Sequence, residues 1–435
     1  MIKVGSCECS KAELDLFSMP PTNTSMEQGT FEQHLPIGSM DGYGDVTFVI
    51  ESGYEQYIDI GRTYLMVNAV VTGKDGKALE AGAKVVPVNN WMHSLFSQVD
   101  VSLQNNVITS SLNTYPWKAY LENLLSFSTD AKDSHGSSYL WYTDTGDMNE
   151  NDPVVDDPTN TGMKARGVLI AKSTPVEMVG RLHCDIFQQN RYLPPGVDMT
   201  VKLTRSSPAL HLVAEGNDYV TKITRMALFV RTVTLNPSIS VEHHRLLNGG
   251  DMMKYPIRRS QVTTLTLQRG ISSEVKDNIL TGQLPRRIVV GLISNTAFSG
   301  NVTENPFNFQ TFDLNYLSLK RDSIAIPSKA LTPNYEGGQY IRSYLSLLEG
   351  TGILNTDKGN GISREAYAKG FTLYAFDLTA DMAEGGHLDP IKHGKISMEL
   401  HFAKQLPVSV NVLIYAEYDN VIQIDRSKNV VTDYM

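Results

Sequence analysis

The chain has 435 residues and a formal net charge of −9, which suits two domains of ordinary size. The negative balance argues against a protein whose main work is coating nucleic acid, because neutralising phosphates needs clustered Lys and Arg. No apolar run approaches the ~20 residues of a helical membrane span. The opening residues Met1-Ile2-Lys3-Val4-Gly5-Ser6 lack the apolar stretch of a secretory signal, so a cytosolic or nuclear product is expected. Three cysteines, Cys7, Cys9 and Cys184, are too few for a disulfide framework.

In chain order, residues 1–28 read as an N-terminal arm, with Lys3 and Lys11 set against Glu8, Glu13, Asp15 and Glu27. It is therefore not a basic arm. Cys7-Glu8-Cys9 is half a metal site at most, and two thiols in a loose arm is the plainer reading. Strands are predicted near 46–50 and 57–71. In 98–103, Val99, Val101 and Leu103 alternate with Gln98, Asp100 and Ser102, the period-two pattern of a half-buried strand. A short helix over 116–126 follows. The long polar loop 127–165 carries Asp144, Asp147, Glu150, Asp152, Asp156 and Asp157.

Further strands are predicted near 167–173, 178–187, 199–204 and 221–235. Pro237, a short helix over 240–247 and Gly249-Gly250 form a connector. Strands then recur near 262–268, 287–294 and 311–319. A helix over 340–349 and a Gly-, Asn- and Thr-rich loop 350–366 follow, then strands at 371–378, 395–402 and 408–418. In the last, Val408, Val410, Val412, Ile414, Ala416 and Tyr418 share one face. The order strand, turn, strand, helix, long loop occurs twice, at 98–126 and at 318–349. The expected fold is therefore all-β: two consecutive eight-stranded antiparallel jelly rolls, a double jelly roll, with a few short helices. The expected division is arm 1–28, first roll 29–237, connector 238–252, second roll 253–420 and C-terminal tail 421–435.

Common catalytic motifs are absent: there is no Gly-x-Ser-x-Gly elbow, no His-Glu-x-x-His and no Walker loop. Asp144 to Asn149 does not fit EF-hand spacing. His243 and His244 are adjacent on a helix and point apart. His183-Cys184-Asp185 falls in a predicted strand, where His183 and Cys184 face opposite sides. No catalytic, cofactor-binding or metal-binding residue is expected.

Three stretches resemble the major capsid proteins of Polinton (Maverick) elements and adintoviruses. They are Ala12-Glu13-Leu14-Asp15-Leu16-Phe17-Ser18-Met19-Pro20-Pro21-Thr22-Asn23-Thr24-Ser25, then Tyr57-Ile58-Asp59-Ile60 with Thr63-Tyr64-Leu65, and the run from Thr114-Tyr115-Pro116-Trp117 through Leu140-Trp141-Tyr142-Thr143-Asp144. The resemblance covers the first third at the level of motifs and the rest at the level of architecture. It implies a non-enzymatic shell protein that homotrimerises into pseudo-hexameric capsomers of an icosahedral capsid around double-stranded DNA. The implied partners are further copies of the chain, with penton and minor capsid proteins, and no sequence-specific nucleic-acid binding. The implied location is the virion, assembled in the host nucleus or cytoplasm. Intersubunit contacts are expected from Leu14, Leu16 and Phe17 in the arm, and from Tyr139, Leu140, Trp141 and Tyr142 in the long loop. The alternative is that they fold back on their own domain. A single-roll penton or minor capsid protein and a carbohydrate-binding or carbohydrate-processing sandwich are the other readings. Convergent carboxylates and aromatics in a cleft would mark the latter.

Overall fold

The computed structural model describes residues 5–7, 9–40, 42, 44–153, 159–382 and 387–434. The first half holds β1 (Met26–His34), β2 (Val46–Ile50), β3 (Gln56–Gly73), β4 (Val85–Pro87), β5 (Phe96–Leu103), β6 (Asn106–Val107), β7 (Val176–Gly180), β8 (Met199–Arg205), β9 (Leu212–Ala214) and β10 (Tyr219–Leu235). The second holds β11 (Met253–Leu267), β12 (Ser273–Gln283), β13 (Arg287–Ser294), β14 (Leu314–Arg321), β15 (Ile324–Leu331), β16 (Leu373–Asp377), β17 (His393–Phe402), β18 (Val410–Ile424) and β19 (Val430–Thr432). The helix Pro237–Asn248 lies between the halves.

Each half stacks two antiparallel sheets. In the first, the orders are β1-β10-β3-β7 and β2-β8-β5-β6; in the second, β11-β18-β13-β16 and β12-β17-β14-β15. With the small β4–β9 ladder and β19 set aside, each half has eight strands. Both then read first-eighth-third-sixth and second-seventh-fourth-fifth, which is jelly-roll topology. The repeat is thus one of pairing order, at the level where two near-unrelated sequences can still agree.

Alternation builds these sheets. In β3, Leu65, Val67 and Ala69 are buried between half-exposed neighbours. β18 departs from the rule, being buried on both faces from Val410 to Tyr418. Val412, Ile414 and Ala416 point into the second roll's core with Ile288, Val290 and Leu292. Leu413 and Tyr415, with Val289 and Ile293, belong to the core cluster shared with the first roll. The β11-β18-β13-β16 sheet is therefore covered on both sides, by its own partner sheet and by the first roll.

Four expectations change. Residues 167–173 form no strand: a helix spans Thr161–Ile170, with the Asn160 side chain accepting from the Met163 amide at its start, an ordinary N-cap. The strand expected over 178–187 ends at Gly180, and Asp185–Gln188 is a 3₁₀ turn. The arm ends earlier than expected, because β1 begins at Met26. The tail is not separate, since β18 runs to Ile424 and β19 pairs back onto it.

Candidate assembly site

The rolls meet around the helix Tyr115–Ser126, nine of whose twelve residues are buried. Thr114 Oγ1 donates to the Val262 carbonyl at 3.0 Å, and Trp117 Nε1 donates to the Pro306 carbonyl at 3.0 Å. Tyr120 stacks on Phe307 with centroids 4.2 Å apart and rings 3° from parallel, and Trp117 stacks on Phe298 at 4.4 Å. Such aromatic pairs add about 0.5–1.5 kcal/mol beyond the area they bury.

One polar cluster sits in this joint. Lys118 Nζ lies 2.7 Å from Asp185 Oδ1. Glu122 accepts from Ser260 Oγ at 2.7 Å and Gln188 Nε2 at 2.8 Å, and its Oε2 is 2.6 Å from His183 Nδ1. His183 and Asp185, read from sequence as part of a strand, instead enter one cluster, His183 on Glu122 and Asp185 on Lys118 and Ser260 at 3.0 Å, because the chain leaves the sheet after Gly180. Cys184 is buried, and burial pushes its thiol well above the ordinary range, against the pull of Lys118. That thiol is unreactive. Sequence reasoning missed Lys118, Glu122 and Ser260. The one available signal was two charges, i and i+4, on an otherwise apolar helix.

The long loop after β6 braces the joint. Arg166 is buried and forms an ion pair with Asp144, while its Nε donates to the Pro87 carbonyl at 2.8 Å. Asn305 Nδ2 donates to the Met148 carbonyl at 3.1 Å, and the Asn305 amide donates to Asn149 Oδ1 at 2.9 Å. Two acids act as internal staples: Glu150 Oε2 accepts from the Asn160 amide at 2.8 Å, and Asp147 Oδ1 accepts from the Asn149 amide at 2.9 Å. Asp156 and Asp157 lie outside the described residues, as does Glu8 of the Cys7-Glu8-Cys9 stretch.

The seven expected contact residues separate into two groups. Tyr139, Leu140 and Trp141 are 6, 2 and 1% exposed, inside the chain's own core. Trp141 stacks against Tyr120 at 5.2 Å, with Lys132 Nζ over its ring. They offer no surface to a neighbour, because the loop folds down into the joint. Tyr142 is half-buried against the same core. Leu14, Leu16 and Phe17 are 71, 77 and 95% exposed. The arm leaves the body where the Asn236 amide donates to the Ser25 carbonyl at 3.0 Å.

A cleft of about 600 Å³ is lined by Asp147, Met148, Asn308, Asp313, Lys369 and Lys404 among others. Its Asp313 is engaged by Lys404 at 3.5 Å, and Phe312 is its one aromatic. His243 bonds Tyr57 Oη at 2.9 Å while His244 meets the Ser240 carbonyl at 2.7 Å, so the pair points apart. No helix among the described residues is long and apolar enough to cross a membrane.

No protein-family model matches the chain. An uncharacterized protein of Caenorhabditis elegans is 22% identical over 428 residues, covering 95% of this chain and 99% of its own. A chain from the cryo-EM structure of the Sputnik virophage superposes with a TM-score of 0.69 at 11% identity, covering 98% of this chain and 93% of that one. The mavirus major capsid protein gives 0.57 at 11% identity, with coverage of 100% and 96%. The capsid model of the virus PBCV-1 gives 0.60 at 11%, with coverage of 96% and 99%. The fold is a double jelly roll.

Proposed function

We propose that the chain is a major capsid protein: a rigid double tile that homotrimerises into pseudo-hexameric capsomers of an icosahedral shell around double-stranded DNA. One observation carries the reading. Two rolls of identical strand order are fixed side by side by a buried joint, and the whole chain is matched end to end by chains of virophage and viral capsids. Three such pairs present six near-equivalent bodies, which suits the six-neighbour positions of a closed lattice. The role is structural, with no reaction assigned.

The arm supplies the first intersubunit contact. Leu14, Leu16 and Phe17 expose an apolar surface that the single chain leaves uncovered, as interaction surfaces do. A near-full-length nematode relative supports an element carried in an animal genome, the setting of Polinton elements, over a free virus alone. Further partners are penton and minor capsid proteins, and the site of action is the virion. The test is the native mass of the purified full chain by light scattering. Three chain masses are expected. Five would favour a penton protein, and a stable monomer at high concentration would overturn the reading.

A further inference from the structure

The joint inside the chain is head-to-tail. The first roll contributes its helix side, through Thr114 and Trp117. The second contributes the outer face of its β11-β18-β13-β16 sheet, with Leu413 and Tyr415. Such a contact uses two different surfaces and leaves one of each kind unused. The first roll still has the outer face of its β1-β10-β3-β7 sheet, and the second still has its own helix side.

The unused sheet face can be set on the used one residue by residue. Each carries an ion pair between its eighth and third strands: Arg231 with Asp59 at 3.6 Å, and Glu417 with Arg287 at 3.3 Å. With these pairs superposed, the strand registers place Phe229 on Tyr415, Tyr64 on Val289 and Phe31 on Ser260. Tyr415, Val289 and Ser260 are buried in the joint. Their counterparts are not covered in the single chain: Phe31 is 45% exposed, and Tyr64 and Phe229 are half-buried. The three rings form a row, with Phe31 5.6 Å from Tyr64 and Tyr64 stacked on Phe229 at 5.0 Å. An apolar row left open on a sheet face marks an interaction surface.

The helix Ile341–Gly350 lies between the fifth and sixth strands of its half, as Tyr115–Ser126 does in the first. Setting Tyr344-Leu345 on Tyr120-Leu121 places Ile341 on Trp117 and Leu345 on Leu121. Trp117 and Leu121 are buried, and Trp117 reaches across to the second roll. Ile341 and Leu345 are 46 and 39% exposed, and their i, i+4 spacing puts them on one side of the helix.

We propose that the Phe31, Tyr64 and Phe229 face receives the Ile341 and Leu345 stripe of a second copy, so that the joint inside the chain continues from chain to chain. The inference rests on the capsid reading for the presence of several copies, and it adds which surfaces meet. A head-to-tail contact repeated in this way closes into a ring.

The test is the native mass, by light scattering, of the full chain as wild type, Phe31→Glu and Leu345→Glu. Both positions are exposed, so each variant should fold. Three chain masses are expected for the wild type and one for each variant. A trimer that survives Leu345→Glu but not Phe31→Glu seats another segment, such as a neighbour's arm, on the sheet and overturns the assignment. A trimer that survives Phe31→Glu overturns it too, and in both cases the capsid reading stands. A monomeric wild type removes that reading and this contact with it. Should a glutamate variant fail to fold, cross-linking decides. A chain with Phe31→Cys and Leu345→Cys, and with Cys7→Ser and Cys9→Ser, is treated with a bismaleimide. Two- and three-chain products from the double-cysteine chain, and from neither single cysteine, support the contact. Trimers that give no such product sink it.

Discussion

Phe17 and Trp141 are both aromatics outside the strands, and they end in opposite surroundings: one is 95% exposed, the other 1%. Trp141 fills the space beside Tyr120, so Trp141→Ala should destabilise the chain by about 3–5 kcal/mol, read as a lowered urea midpoint. Arg166 is a sharper case, because its ion pair with Asp144 is buried. Arg166→Met leaves that carboxylate uncompensated and should cost about 3–5 kcal/mol, whereas the double change Arg166→Met with Asp144→Leu should recover much of the loss. A double change as damaging as the single one would show that shape, not charge, makes Arg166 necessary. Neither side chain's fate was legible locally. An acidic loop reads as solvated until the cation that enters it, from a helix 22 residues on, is known.

At the scale of elements, two helices alike in pattern do different work. The helix Tyr115–Ser126 is buried between the rolls, whereas Ile341–Gly350 covers β16 and buries only Ser343, Leu347 and Gly350. A Cβ at Gly350 would come within 2.7 Å of Ala375, so Gly350→Val should lower thermal stability and loosen that helix, seen as faster hydrogen exchange there. The arm makes the converse prediction. Deleting residues 5–25 removes exposed apolar surface and no core, so the melting temperature of the single chain should hold while trimers and shells are lost. Normal trimers from the truncated chain would remove the arm from assembly. Strands with one wet face, such as β5 and β8, were readable from alternation. The exposed edge strands β1 and β12 were not, because a strand with little buried on either face has no apolar period to display.

For the whole molecule, rigidity is the property the joint confers. Aromatic stacking, backbone hydrogen bonds and the charge cluster all cross it, so the rolls should unfold together. Calorimetry is expected to show one cooperative transition, and two well-separated transitions would mean the joint couples them weakly. The sequence alone determined the class: alternating segments in both halves, few helices, and a repeated strand–helix–loop order. Those features are legible because alternation is a local consequence of one face meeting a core. Only the tertiary structure decided which surfaces remained free. Leu413 and Tyr415 became core because the first roll covers their sheet, Trp141 was drawn inward, Phe17 was left outside, and Lys118, Glu122, His183 and Asp185 were gathered into one site. These outcomes depend on contacts between residues up to hundreds of positions apart, and no local pattern encodes such contacts.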